Sequence, residues 1–141
     1  MPTPKSFDWR GLLKSHPIFS RLSETEAARM LKDEVSQERT CARDALIVKA
    51  GETGDSLFLI GAGSVQVTVS GNPIAVLGQG DFFGEIAVLE GRMRSASVTA
   101  REPCTVLEIA GETCRQLFTA HPEIEARVRA TASMRLSQSR Q

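Results

Sequence analysis

Between Glu38 and Ala110 the sequence breaks into short β-prone runs, and this regular punctuation limits the fold more than any other feature. Leu46-Ile47-Val48, Leu57-Phe58-Leu59-Ile60, Val65-Gln66-Val67-Thr68-Val69, Ile74-Ala75-Val76-Leu77, Ala96-Ser97-Val98-Thr99 and Val106-Leu107-Glu108-Ile109 are rich in branched residues. Several alternate apolar with polar, as half-buried strands do. Turn chemistry separates them at Ala50-Gly51-Glu52-Thr53-Gly54-Asp55, Gly61-Ala62-Gly63, Ser70-Gly71-Asn72-Pro73 and Gly78-Gln79-Gly80-Asp81. Strands this short at such even spacing predict an antiparallel barrel or jelly roll.

The flanks read as helical. Ser23-Glu24-Thr25-Glu26 has capping-box spacing, and Ala27, Met30, Leu31 and Val35 follow at helical intervals. Leu12-Leu13 and Ile18-Phe19, with Pro17 between them, form the apolar side of a shorter helix and its loop, and Trp9 is expected to anchor that helix on the domain. Gly111 to Thr119 carries Leu117-Phe118. Pro122-Glu123 opens a final helix, with proline at the favoured first position and acids near the positive end of the dipole. Ile124, Val128, Thr131 and Arg135 form its stripe, with Ala132 and Leu136 beside it, and Ser137 to Gln141 make a polar, frayed end. The expected class is therefore α+β: an eight-stranded antiparallel roll at 38–110, N-terminal helices at 7–37 and C-terminal helices at 111–137, in one domain of 141 residues.

Composition removes several functions. Seventeen basic and seventeen acidic residues balance, so attraction to nucleic acid or to an acidic membrane is not the design. No run of about eighteen apolar residues suits a membrane span, and no secretory leader opens the chain. Cys41, Cys104 and Cys114 lack CxxC spacing, which argues against disulfides or zinc and fits packed thiols in a reducing cytoplasm. His16 and His121, each followed by proline, cannot make the histidine cluster of a metal-binding roll, and no nucleophile–histidine–acid set is legible. A non-catalytic protein without a metal or resident cofactor is expected.

What remains chemically is one segment. Phe82-Phe83-Gly84-Glu85-Ile86-Ala87-Val88-Leu89 is followed by Arg94-Ser95-Ala96-Ser97-Val98. Gly84 permits a tight turn and close approach of a ligand. Residues 85–89 are long enough for one helical turn with unpaired leading amides, an anion site. Arg94 adds a planar fork for phosphate oxygens, Ser95 a hydroxyl and Ala96 an unobstructed amide. Glu85 cannot face a phosphate and is suited to accept from a hydroxyl. The bland alternative is an ion pair between Glu85 and Arg94.

Together these residues closely resemble the phosphate-binding cassette, here 83–98, of cyclic nucleotide-binding domains, a family that includes catabolite activator proteins, protein kinase A regulatory subunits and cyclic nucleotide-gated channels. Gly51, Gly54-Asp55, Gly63 and Gly80-Asp81 resemble the family's spaced glycines, Leu13 to Leu31 its N-terminal bundle, and Pro122-Glu123-Ile124 the start of its last helix. Met93 departs from the proline common before the arginine. The resemblance implies a ligand, cAMP or cGMP, with Arg94 on the cyclic phosphate and Glu85 on the ribose 2′-OH. Gly84, Ile86 and Ala87 would present backbone, and Ser95 and Ala96 would complete the phosphate contact. The last helix would close as a lid, with Val128, Thr131, Ala132 or Arg135 facing the base, Arg135 stacked on the purine, and Val65 and Val76 as apolar walls. No helix-turn-helix follows, so a nucleic-acid partner is not expected. The implied role is a ligand-sensing domain, either of a channel-like larger membrane protein, on its cytosolic face, or of a stand-alone sensor that signals to a partner effector. A nucleotide-free interaction scaffold is the alternative.

Overall fold

Strand β3 dictates the layering. In the computed structural model, which describes residues 5–91 and 93–139 and side chains as far as 135, the chain runs α1 (Trp9–Ser15), a 3-10 turn (Phe19–Arg21), α2 (Glu24–Met30), β1 (Ser36–Cys41), β2 (Leu46–Val48), β3 (Ser56–Ala62), β4 (Val65–Val69), β5 (Asn72–Leu77), β6 (Phe82–Phe83), α3 (Glu85–Glu90), β7 (Ser97–Ala100), β8 (Cys104–Ala110), α4 (Gly111–Ala120) and α5 (Pro122–Ser139). Leu57, Phe58, Leu59 and Ile60 are buried in succession. Because neighbours on a strand point to opposite faces, this strand needs cover on both sides.

The cover comes from two different layers. Leu57 and Leu59, with Ile109 and Leu107 opposite them on β8, face a helical layer of Trp9, Leu13, Phe19, Met30, Leu117, Phe118, Ile124 and Val128. Phe58 and Ile60, with Val106, Cys104 and Cys41, face Val65, Val67, Val98 and Ala100 of a second sheet. The sheets are antiparallel and four-stranded, in the orders β1-β8-β3-β6 and β2-β7-β4-β5. The expected α+β class, with two packed sheets forming the roll and helices flanking it, is thus observed. Truncating a two-sided anchor such as Leu59 to alanine would cost about 2–5 kcal/mol, since the site cannot collapse from either side.

Local chemistry sets the ends of the elements. The capping box at Ser23 is present in full, Ser23 Oγ accepting from Glu26 N at 3.1 Å and Glu26 Oε1 from Ser23 N at 2.9 Å. Helix α2 nevertheless stops at Met30 rather than continuing to Val35. Ser36 Oγ donates to the Met30 carbonyl at 2.7 Å, satisfying the helix end while Ser36 already pairs with Ile109. Strand β1 consequently starts two residues ahead of Glu38. Its sequence, Ser-Gln-Glu-Arg-Thr-Cys, is buried only at its ends, so it carries no apolar alternation to read. Two-residue β6 was equally illegible as a separate strand, but its pairing of Phe83 with Phe58 sets where the following segment begins. The β4–β5 hairpin turns on Ser70 and Gly71, both at positive φ (52° and 81°), as a tight two-residue turn requires.

Trp9 anchors the N-terminal helices. Its indole N–H donates to Glu38 Oε1 at 2.8 Å, and Ser6 N, Ser6 Oγ and Phe7 N also donate to that carboxylate. Gly61 makes room for it, because a Cβ there would lie 2.7 Å from the indole ring. The three cysteines are free and buried, with burial pushing the Cys114 thiol up to about 12. No helix among the described residues is long and apolar enough to cross a membrane.

Candidate functional site

A cleft opens at one end of the roll, and all eight residues expected at the site line it: Gly84, Glu85, Ile86, Ala87, Arg94, Ser95, Ala96 and Arg135. The segment from Gly84 is positioned by β6 on one side and β7 on the other. Gly84 has φ +89° and provides the N-cap of α3 without a side-chain bond, so the amides of Glu85, Ile86 and Ala87 lack helical acceptors. Conformation and space both demand glycine there, since a Cβ would fall 2.7 Å from Arg94 Nη1 and from the Ser56 carbonyl.

Arg94 is 9% exposed. Its Nη1 donates to the carbonyls of Ser56 (3.1 Å) and Gly84 (3.3 Å), and its guanidinium lies 5.6 Å from the centre of the Phe58 ring, which itself stacks on Phe83. Among the described residues it makes no ion pair, and Nε and Nη2 have no acceptor. Burial draws its pKa down, and Glu108, Asp55 and Glu85 at longer range draw it back up. A buried cation met by neutral carbonyls and an aromatic ring, with no carboxylate in contact among the described residues, has the donors to take an anion.

Glu85 is 2% exposed, and its partner is not Arg94. Arg135 reaches in from α5, placing Nη1 2.7 Å from Glu85 Oε1, with its guanidinium 5.4 Å from the Phe82 ring centre. The ion pair considered from sequence between Glu85 and Arg94 is absent, and Glu85 pairs with Arg135 instead.

Other expectations need correction. Val76 is paired with Gln66 and exposed, on the outer face of its sheet, and Val65 lies in the core beyond the cleft. The apolar walls are instead Val48, Val67, Val69, Ile74, Ala75 and Val98. Strand parity carried this signal: Val67 and Ala75 are register partners, which puts Ala75 inside and Val76 outside. On α5, Val128 belongs to the helical core and Thr131 to a neighbouring groove, so of the four lid candidates only Arg135 lines the cleft. Leu136, expected beside that stripe, lies outside the described side chains, and residues 140 and 141 of the frayed end lie outside the described residues.

Fold and cleft together define a β-roll ligand-binding domain with a helix across its mouth. Residues 38–121 match the model of the cyclic nucleotide-binding domain. The chain is 32% identical over 125 residues to a cyclic nucleotide-gated potassium channel of Rhizobium etli, covering 89% of this chain and 34% of the channel. It is 37% identical over 96 residues to the cAMP-activated global transcriptional regulator CRP of Pasteurella multocida, covering 64% of this chain and 46% of the regulator. A solved structure of cAMP-bound PfPKA-R superposes with a TM-score of 0.81 at 22% identity, covering 92% of this chain and 44% of that one, a likeness of fold. The chain belongs to the cyclic nucleotide-binding domain family. It spans about a third of the length of the channel relative it matches.

Proposed function

We propose that the cleft binds cAMP or cGMP reversibly and that this chain is the sensing part of a larger signalling protein, of which a cyclic nucleotide-gated channel is the best-supported kind. Arg94 carries the reading: a buried guanidinium whose Nε and Nη2 have no acceptor among the described residues, beside the leading amides of α3 at Glu85, Ile86 and Ala87, suits a cyclic phosphate. Ser95, exposed at the cleft edge, and Ala96 complete that side. Glu85 accepts the ribose 2′-OH. The apolar walls of the cleft accept the faces of a purine.

Binding is the whole activity in this reading, with no chemistry performed on the nucleotide. Arg135 makes α5 the element that senses occupancy, because it joins the lid to the acid that takes the ribose. The ligand can drive closure only through its differential affinity for two arrangements of α5. A switch from 1:99 to 99:1 needs about 5.5 kcal/mol of such difference.

Titration calorimetry with cAMP and with cGMP tests the reading. Binding of at least one is expected, and Arg94→Ala should weaken it by about 1.5–3 kcal/mol, tenfold or more. No heat with either nucleotide at high micromolar concentration would leave the interaction-scaffold alternative. Unchanged affinity in Arg94→Ala would place the phosphate elsewhere, and loss of intact nucleotide on long incubation would mean catalysis.

A further inference from the structure

Arg94 is held by more than its side-chain contacts. Its backbone is bonded in both directions to the loop between β2 and β3: Gly51 N donates to the Arg94 carbonyl at 2.9 Å, and Arg94 N donates to the Glu52 carbonyl at 2.8 Å. Two residues further on, the loop runs flush against the guanidinium. A Cβ on Gly54 would sit 2.6 Å from Nε and from Nη2. Gly54 is not among the positive-φ glycines, so what glycine supplies there is space.

One side chain from α4 fixes the far end of this loop. Arg115 grips Asp55 with both teeth of its fork, Nη1 to Oδ1 at 2.7 Å and Nη2 to Oδ2 at 2.9 Å. Its Nη1 also donates at 3.2 Å to the carbonyl of Val88, near the end of α3 where carbonyls lack helical partners. The start of α4 closes on the same residue, Gly111 N donating to the Asp55 carbonyl at 2.8 Å. Arg115 therefore ties together the loop that cradles Arg94, the helix that supplies the leading amides, and α4.

We propose that Arg115 is a positioning residue for the nucleotide site: it fixes the Gly54-Asp55 turn and the end of α3 in the arrangement that seats the Arg94 guanidinium. The inference rests on the cyclic nucleotide reading above. Arg115 does not line the cleft and acts through Arg94. Its side chain and that of Asp55 are about half exposed, and an exposed ion pair adds little to global stability. Loss of Arg115 should thus be felt in affinity more than in melting temperature.

The test is calorimetric titration with cAMP and cGMP on the wild type, Arg115→Met, Arg115→Lys, Arg94→Lys and the Arg94→Lys/Arg115→Met double variant. Arg115→Met should weaken binding about threefold to tenfold, the scale of coupling between neighbouring residues, with an almost unchanged melting temperature. Arg115→Lys, which keeps the charge but loses the fork, should recover only part of it. In the Arg94→Lys background the Arg115→Met change should alter affinity by less than about twofold, because the positioned group is gone. The Arg94 Nε–H resonance in NMR spectra gives a reading independent of affinity and should shift or broaden in Arg115→Met. Wild-type affinity in Arg115→Met, equal losses in both backgrounds, or an unmoved Arg94 resonance would each overturn the inference while leaving nucleotide binding intact. A wild type that binds neither nucleotide overturns both readings.

Discussion

Arg135 Nη1 stands 2.7 Å from Glu85 Oε1, joining α5 to the first residue of α3 across the mouth of the cleft. The pair is well buried, with the Glu85 side chain 2% and the Arg135 side chain 17% exposed. Removing one partner of such a pair leaves the other charge buried and unanswered. Arg135→Gln should release the end of α5, seen as faster amide hydrogen exchange from about residue 128 onward. Exchange rates equal to wild type would show that the helix is held by its apolar stripe alone.

The same acid has a second expected partner, and a modified ligand isolates it. Wild type should bind 2′-deoxy-cAMP more weakly than cAMP, by about 1.5–3 kcal/mol for a hydrogen bond to a charged acceptor. In Glu85→Ala the two ligands should bind within about twofold of each other. A preference that persists in the variant would assign the 2′-OH to another residue.

Gly84 is required twice, by its left-handed backbone and by the Arg94 guanidinium beside it. Gly84→Ala should therefore lower stability by more than the roughly 0.4–1 kcal/mol at stake in ordinary Gly/Ala exchanges, and should weaken nucleotide binding as well. Gly71→Ala, at a positive φ with open space around it, is the control for backbone strain alone. Equal affinity in the Gly84 and Gly71 variants would contradict the steric part of the argument.

His121 lies between α4 and α5 and bonds carboxylates through both ring nitrogens, Nε2 to Glu26 Oε2 at 2.8 Å and Nδ1 to Glu123 Oε1 at 3.2 Å. The bond to Glu26 is the main cause that raises its pKa above the usual 6.5; burial opposes this and Glu123 reinforces it. Its stabilising contribution is complete below 6.5 and disappears as pH rises through the folded value. Glu26 is held below its usual 4.5, first by the Ser23 amide and then by His121, so its contribution is complete above 4.5 and disappears as pH falls through the depressed value. The difference in melting temperature between wild type and His121→Gln should be greatest from pH 4.5 to 6.5 and should shrink on the alkaline side. A constant difference from about pH 5 to about pH 9 would show that the His121 charge contributes nothing.

Much of the site was legible because it is local. Gly84, Glu85 and Arg94 fall within eleven residues, and their types alone demand a turn, an acceptor and a fork. The walls were less legible, since Val65 and Val76 look as eligible as Val67 and Ala75 until the register is known. Arg115 carried no signal at all. Nothing in Glu-Thr-Cys-Arg-Gln marks one arginine as the partner of Asp55, sixty positions earlier.

Sequence by itself determined the alternation of short strands and turns, the helices at either end, and the set of groups able to meet a phosphate and a hydroxyl. Those are properties of neighbours along the chain, set by propensity, turn chemistry and side-chain type. The tertiary structure alone decided the pairings. It placed Glu85 against Arg135 rather than Arg94, left the Arg94 charge without a carboxylate in contact among the described residues, and set Arg115 behind it. Charges choose partners by distance and burial, and both are fixed only when β3 is covered from both sides and α5 is laid across the roll.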